Sequence, residues 1–188
     1  MQKKQTLSIG ADLPDFSLTN VDNTLILGAQ FVGSPLLIIF MCNRSLFVKH
    51  IHGVLLKVIW EYENIGIKSI AINPNVNSIY QEDHEDIIRQ ELSWHSYSFP
   101  YLVDHNQNVA KLFGVTYVPD FFVFDKHGKL AYHGQMDDSR PGNGFPVTGR
   151  DLRLALNHVF SGNPVTITQK PSSGSSLLWK DPFTLPSA

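Results

Sequence analysis

The chain has one cysteine, Cys42, and its flanks give that sulfur a defined place. It follows the apolar run Leu36-Leu-Ile-Ile-Phe-Met41. It precedes Arg44 to Tyr62, where Phe47, Ile51, Leu55, Val58 and Tyr62 recur at three- and four-residue steps. A buried strand that runs into an amphipathic helix there sets the sulfur at a helix N-terminus. Unpaired backbone N–H groups and the helix dipole favour a thiolate at such a point and lower its pKa. Arg44, and Lys49 one turn later, would act in the same direction. The pattern therefore predicts a reactive, partly exposed thiol with a pKa below the ordinary value of about 8.5. The plainer reading is that a lone cysteine is a small buried hydrophobe.

Other chemical signals are weaker. A single cysteine permits no disulfide within the chain, which excludes functions that need an internal cysteine pair. The eight histidines show no metal-ligand spacing, and His50 and His52 would point to different sides of a helix. Asp137-Asp138 could be a catalytic pair but reads more simply as turn or cap chemistry. Asp120 and Asp125 read as turn and edge residues. Gly142, Gly144 and Gly149 lack the strand and spacing of a dinucleotide fingerprint, and no strained Gly-x-Ser-x-Gly turn occurs.

The elements that would position Cys42 follow from periodicity. Leu36–Met41 and Ile67–Ile72 have the length and apolar continuity of strands buried on both faces. Tyr80 to Trp94 reads as a helix with Glu82, Asp83, Glu85 and Asp86 in its first turns. Tyr101–Val103 is a short strand, and Asn108–Phe113 a brief helix closed by Gly114. Phe121–Phe124, a turn at Asp125–Gly128 and Lys129–His133 form a hairpin pattern, with Phe121, Phe122 and Phe124 as core. Asp151 to Phe160 is a last helix. This alternation predicts an α/β fold with a central, partly parallel sheet flanked by helices.

At 188 residues, 43% apolar and 17% charged, the chain has the size and composition of one globular domain spanning 1–188. The Pro-, Ser- and Thr-rich stretch from Asn163 onward would be a surface tail. A formal charge of −2 argues against nucleic-acid binding. The longest apolar run, seven residues from Leu36 to Cys42, is far short of the about 20 that span a membrane. The start Met1 to Ser8 shows no secretory pattern, so a cytoplasmic location is expected.

The segment Phe40-Met-Cys-Asn-Arg-Ser-Leu-Phe-Val-Lys-His50 resembles the active-site segment of thioredoxin-like, peroxiredoxin-like proteins of the AhpC/TSA and redoxin families, whose pattern there is Cys-Asn-His-Cys-Pro-aromatic-Val-Lys-His. Ile9 to Leu18 is similar to the opening strand and turn of redoxins. Phe99–Asp104 and Pro119–Asp125 are similar to the later strand and the cis-proline segment. Gly134–Asn143 and Lys170–Gly174 continue the likeness, which covers roughly residues 8 to 180. It implies a thioredoxin-like fold with a redoxin-type N-terminal extension and a cis Val118–Pro119 bond. It also implies catalysis at Cys42, and substrate contacts from Asn43, Val118 and Pro119. No cofactor or metal is implied. The implied partners are protein or low-molecular-weight thiols and disulfides, such as glutathione or the thioredoxin system.

The departures define the implied chemistry. The family's motif histidine, second cysteine and proline fall on Arg44, Ser45 and Leu46. A later cysteine falls on Ser175, and the threonine before the cis-proline on Val118. Arg44 and Ser45 would then tune the Cys42 thiolate, and Ser45 could hydrogen-bond it but not resolve a mixed disulfide. The expected activity is a monothiol, thiol–disulfide oxidoreductase. The alternatives are a catalytically inactive binding protein of the same fold and a one-cysteine, thiol-dependent peroxidase. For the peroxidase, Pro35 fits the family spacing, but the threonine position holds Ile39, which cannot hydrogen-bond a peroxide. Whether Arg140 or Arg150 approaches the site is left open.

Overall fold

The computed structural model describes residues 7–76 and 79–180. In chain order its elements are β1 (Ser17–Asn20), β2 (Leu25–Leu27), β3 (Leu36–Phe40), α1 (Leu46–Glu63), β4 (Lys68–Asn73), α2 (Glu85–His95) and β5 (Tyr101–Val103). There follow α3 (Asn108–Phe113), β6 (Tyr117–Val118), β7 (Asp120–Phe124), β8 (Leu130–Gly134), α4 (Arg150–Phe160) and β9 (Ser175–Ser176). Seven strands form a mixed sheet in the order β2-β1-β5-β4-β3-β7-β8. The pairs β3–β4 and β4–β5 are parallel, and the remaining pairs are antiparallel. β6 and β9 make a separate two-stranded ribbon.

β3 reads as an unbroken apolar run because both of its faces are covered. Leu37, Ile39 and Met41 enter a core shared with α1 and α4. Leu36, Ile38, Phe40 and Cys42 enter a second core with α3. All five β3 residues are fully buried, each contributing roughly 1.5–3 kcal/mol. In the second core, Phe113 of α3 contacts the rings of Phe40 and Phe122, both at 5.2 Å between centroids. Edge-to-face and tilted packing of this kind fixes a helix too short to be stable alone. Gly114 caps it in the left-handed region at φ 72°.

α1 starts where its sequence permits a cap: the Ser45 Oγ accepts the Val48 N–H at 3.3 Å. The helix expected over Tyr80 to Trp94 is instead two pieces, a 3₁₀ turn at Gln81–Asp83 and α2 from Glu85. The division has a physical reason. Asp83 does not complement the dipole from the surface but turns inward and is fully buried. Of the acidic pair Asp137-Asp138, the first does turn chemistry, as expected, and the second makes ion pairs that the residues did not suggest. Asp137 accepts the N–H groups of Ser139, Thr148 and Gly149, while Asp138 pairs with Arg150 and Lys170, both at 2.7 Å.

Over its described part the stretch from Asn163 runs along the surface, mostly exposed or half-buried, and is tied down at several points. It crosses the mouth of the second core as a strap. Gln135 donates its N–H to Lys170 O, β9 pairs with β6, and Leu177 is buried in the core that holds Cys42. Residues 181–188 of the expected tail, and Met1–Thr6, lie outside the described residues.

Candidate thiol site

β3 delivers Cys42 to the turn before α1, and the Val118–Pro119 bond is cis, as expected. Cys42 and Val118 share the second core. Ser45 joins the two segments, because its Oγ also donates to Val118 O at 3.3 Å. Cys42, Asn43, Arg44, Ser45, Val118 and Pro119 thus lie at one end of the sheet. The fold agrees with the reading from residues. The state of the thiol does not.

Cys42 is 0% exposed, against the expectation of a partly exposed sulfur. Its pKa is pushed up to about 11, first by burial and then by the negative Asp83; the Asn75 amide, Arg44 and the Ser45 N–H oppose this without prevailing. The expected lowering fails first because the sulfur is buried, and Asp83 adds to that both by its charge and by its hydrogen bonds. The backbone donors at this turn are already engaged: Asp83 Oδ1 accepts the Asn43 N–H at 2.9 Å and the Arg44 N–H at 3.4 Å. A buried carboxylate thus takes two donors of the turn, and the Ser45 N–H that still acts on the sulfur does not offset burial. Asp83 itself is held above the usual carboxylate range by burial.

The Arg44 charge and the Ser45 N–H act on the thiol in the expected sense without prevailing, while the side chains of the expected tuning groups make other contacts. The Arg44 guanidinium lies 3.6 Å from Asp83 Oδ2, stacks over Tyr80 at 4.7 Å and donates to Ser176 O at 2.9 Å. Lys49 pairs with Glu82 at 3.9 Å, half exposed. The Ser45 hydroxyl, expected to meet the thiolate, instead lies 2.8 Å from Ser175 Oγ. Asn43 is buried, its amide donating to Glu91 at 2.7 Å and accepting from the Tyr101 hydroxyl at 2.9 Å. Behind it lies a pocket of about 270 Å³ bordered by Lys49, His52, Glu91, His95 and Tyr97. Val118 is fully buried and its strand edge is paired with β9. The crevice beside Pro119, between Phe47 and Phe121, holds about 10 Å³, room for no more than about one water.

Residue types and spacing gave no warning of Asp83, forty positions from the backbone it caps, or of Asn75. Asn75 Oδ1 accepts the Leu178 N–H at 3.1 Å, while its buried Nδ2 has no hydrogen-bond partner among the described residues and acts on the Cys42 sulfur. Asp120, read as an edge residue, is buried and bonded to His133 at 3.0 Å, whose ring stacks on Phe122 at 4.0 Å. Arg140 and Arg150 are held in the polar cluster between β8 and α4, by Asp137 O and Ser139 O and by Asp138 and Asp151 respectively. No group of three or more His, Cys, Asp or Glu side chains among the described residues is placed to hold a metal ion. No helix among them is long and apolar enough to cross a membrane.

The AhpC/TSA family pattern matches residues 9–133, from the opening segment through β8. The chain belongs to the AhpC/TSA family. Two solved structures agree over nearly the whole of this redoxin. A hypothetical protein from Sinorhizobium meliloti is 39% identical, covers 94% of this chain and 97% of its own, and superposes with a TM-score of 0.88. An uncharacterized conserved protein from Geobacillus kaustophilus is also 39% identical, covers 98% and 96%, and gives 0.89. A putative thiol:disulfide interchange protein from Chlorobium tepidum, at 17% identity, shares the thioredoxin-like fold over 82% of this chain and 99% of its own, with a TM-score of 0.66. No curated protein matches.

Proposed function

We propose that this AhpC/TSA-family protein exchanges disulfides through Cys42 alone, forming mixed disulfides that only an external thiol releases. The observation that supports it is the placement of the chain's one thiol at the turn between β3 and α1, joined through Ser45 to the cis Val118–Pro119 segment. In the forward step the Cys42 thiol gives its proton to solvent, and the thiolate attacks one sulfur of a disulfide. A new S–S bond forms, and the other half leaves as a thiolate. A second, external thiolate then attacks the mixed disulfide, regenerates Cys42 and departs as a disulfide. Ser45 and Ser175 cannot take that second role. Asn43 and Arg44 shape the turn, and Val118 and Pro119 supply the backbone edge that a substrate segment would use. Glutathione or a protein thiol of the thioredoxin type is the external partner, in the reducing cytoplasm.

The binding-protein reading has its own support in the full burial of Cys42 and its raised pKa. Peroxide reduction has less: Ile39 is buried on the opposite face of β3, Arg150 is paired with Asp138 and Asp151, and Arg140, though it borders the crevice beside Pro119, donates to Asp137 O and Ser139 O. An aromatic disulfide that releases a coloured thiolate separates the two supported readings. The folded chain is expected to release one equivalent per chain and stop, then resume when glutathione is added. Release from the denatured chain only would leave binding as the function.

A further inference from the structure

We propose that the segment Gly174–Leu178 is a displaceable strap, which holds the Cys42 site shut by occupying the β6 edge. β9 pairs Ser175 with Val118 and Ser176 with Tyr117, so the backbone beside the thiol is already filled by an extended piece of the same chain. Leu177 closes the second core at 5% exposure, in the cluster that contains Cys42. Its N–H donates to Thr116 O at 3.1 Å. Two polar groups bridge strap and site: Asn75, which accepts from Leu178 and acts on the sulfur, and Arg44, which donates to Ser176 O. Gly174 is required by the approach itself, because a methyl group there would overlap the Val118 carbonyl.

The strap is built to leave more easily than the core opens. Its ladder is two residues long and its ladder side chains are serines. Its apolar anchors are the buried Leu177 and the partly buried Trp179, over which Lys111 sits at 5.9 Å. β3, by contrast, is paired along five residues on both sides. Segments with few buried contacts open locally well below the free energy of global unfolding. Opening would restore water to Cys42, free the Val118 edge for an extended peptide and relieve the burial that is the larger cause of the raised pKa, leaving the Asp83 contribution in place. The purpose of such a gate rests on the monothiol reading, but access to Cys42 can be measured apart from it.

Iodoacetamide labelling of the full chain at mildly alkaline pH, with hydrogen exchange beside it, makes the test. Gly174→Ala is expected to speed Cys42 labelling by about tenfold or more, and Trp179→Ala by less. Leu25→Ala, on the exposed far edge of the sheet, should leave it unchanged. In the unaltered chain the amides of Ser176 to Leu178 should exchange faster than those of β3. This second measurement stands even if Gly174→Ala does not fold. Strap amides that exchange only together with β3, or labelling unmoved by both strap variants, would overturn the proposal. Faster labelling without any disulfide exchange would uphold the strap and defeat the monothiol function instead.

Discussion

The sealed thiol should be most visible in the pH dependence of its alkylation. Iodoacetamide reacts with thiolate, so its rate follows the ionised fraction multiplied by access. Raised from an ordinary 9.0 to about 11, the thiol holds about 100-fold less thiolate at neutral pH. Labelling of the native chain should therefore be at least that much slower than labelling of the same chain in denaturant. It should climb about tenfold per pH unit through pH 9 and show no plateau below about pH 10. A minor open state does not alter this shape, because the closed, protonated form remains the reservoir. The measurement needs intact-mass quantification at short times across pH 7 to 10, with circular dichroism to confirm that the fold persists. A plateau at about pH 9, or native labelling within about tenfold of the denatured rate, would refute the claim that burial and Asp83 suppress the thiolate.

Further outcomes follow from the same contacts. Because the folded pKa of Cys42 lies above its unfolded value, the folded chain keeps a proton that the unfolded chain loses; stability should fall from about pH 9 to about 11, by up to roughly 3 kcal/mol, and Cys42→Ala should remove that loss in urea titrations. Ser45→Ala deletes the α1 cap and the partner of Ser175, and should cost about 1–2 kcal/mol by denaturant unfolding, with Ser45→Thr restoring most of it. Ser45→Cys combined with Ser175→Cys should cross-link on oxidation, since the two hydroxyls are 2.8 Å apart. Peptide mapping would find that link, and Cys42 should label more slowly in the oxidised form than in the reduced one. Burial and the neighbouring His95 hold the His52 pKa below the usual imidazole range; the unfolded chain then binds the proton more readily, so stability should decline as pH falls through about 6.5. His52→Gln should flatten that decline, and an NMR titration should place the His52 midpoint below the ordinary value.

How far the residues foretold this molecule depends on the range of the interaction. β3, α3, β5 and the β7–β8 hairpin were legible because their apolar periodicity and turn residues are local consequences of burial. β1 and β2 carry half-exposed residues over four and three positions, too little pattern to read apart from the family likeness. The placement of Cys42 between strand and helix was legible, but its protonation state was not. Burial of the sulfur outweighs the donors at the turn, and Asp83, forty residues away, takes two of them and adds its own charge. Ser175 is a comparable case. Its pairing with Ser45 spans 130 positions, so a tail rich in serine and proline gave no local sign that it returns to the β6 edge and Ser45. The His133–Asp120 pair depends on strand register, where Phe122 opposes His133, and that register follows from the whole sheet.

The most direct test of a functional, gated Cys42 is the intact mass of the folded protein after incubation with oxidised glutathione at neutral pH. The unaltered chain, Gly174→Ala and Cys42→Ser should be compared side by side. One glutathione per chain is expected on the first two, faster on Gly174→Ala, stable until a free thiol is added, and none on Cys42→Ser. No adduct on either folded cysteine-containing chain, while the denatured chain accepts one, would contradict the account and leave Cys42 as a core residue of a binding protein.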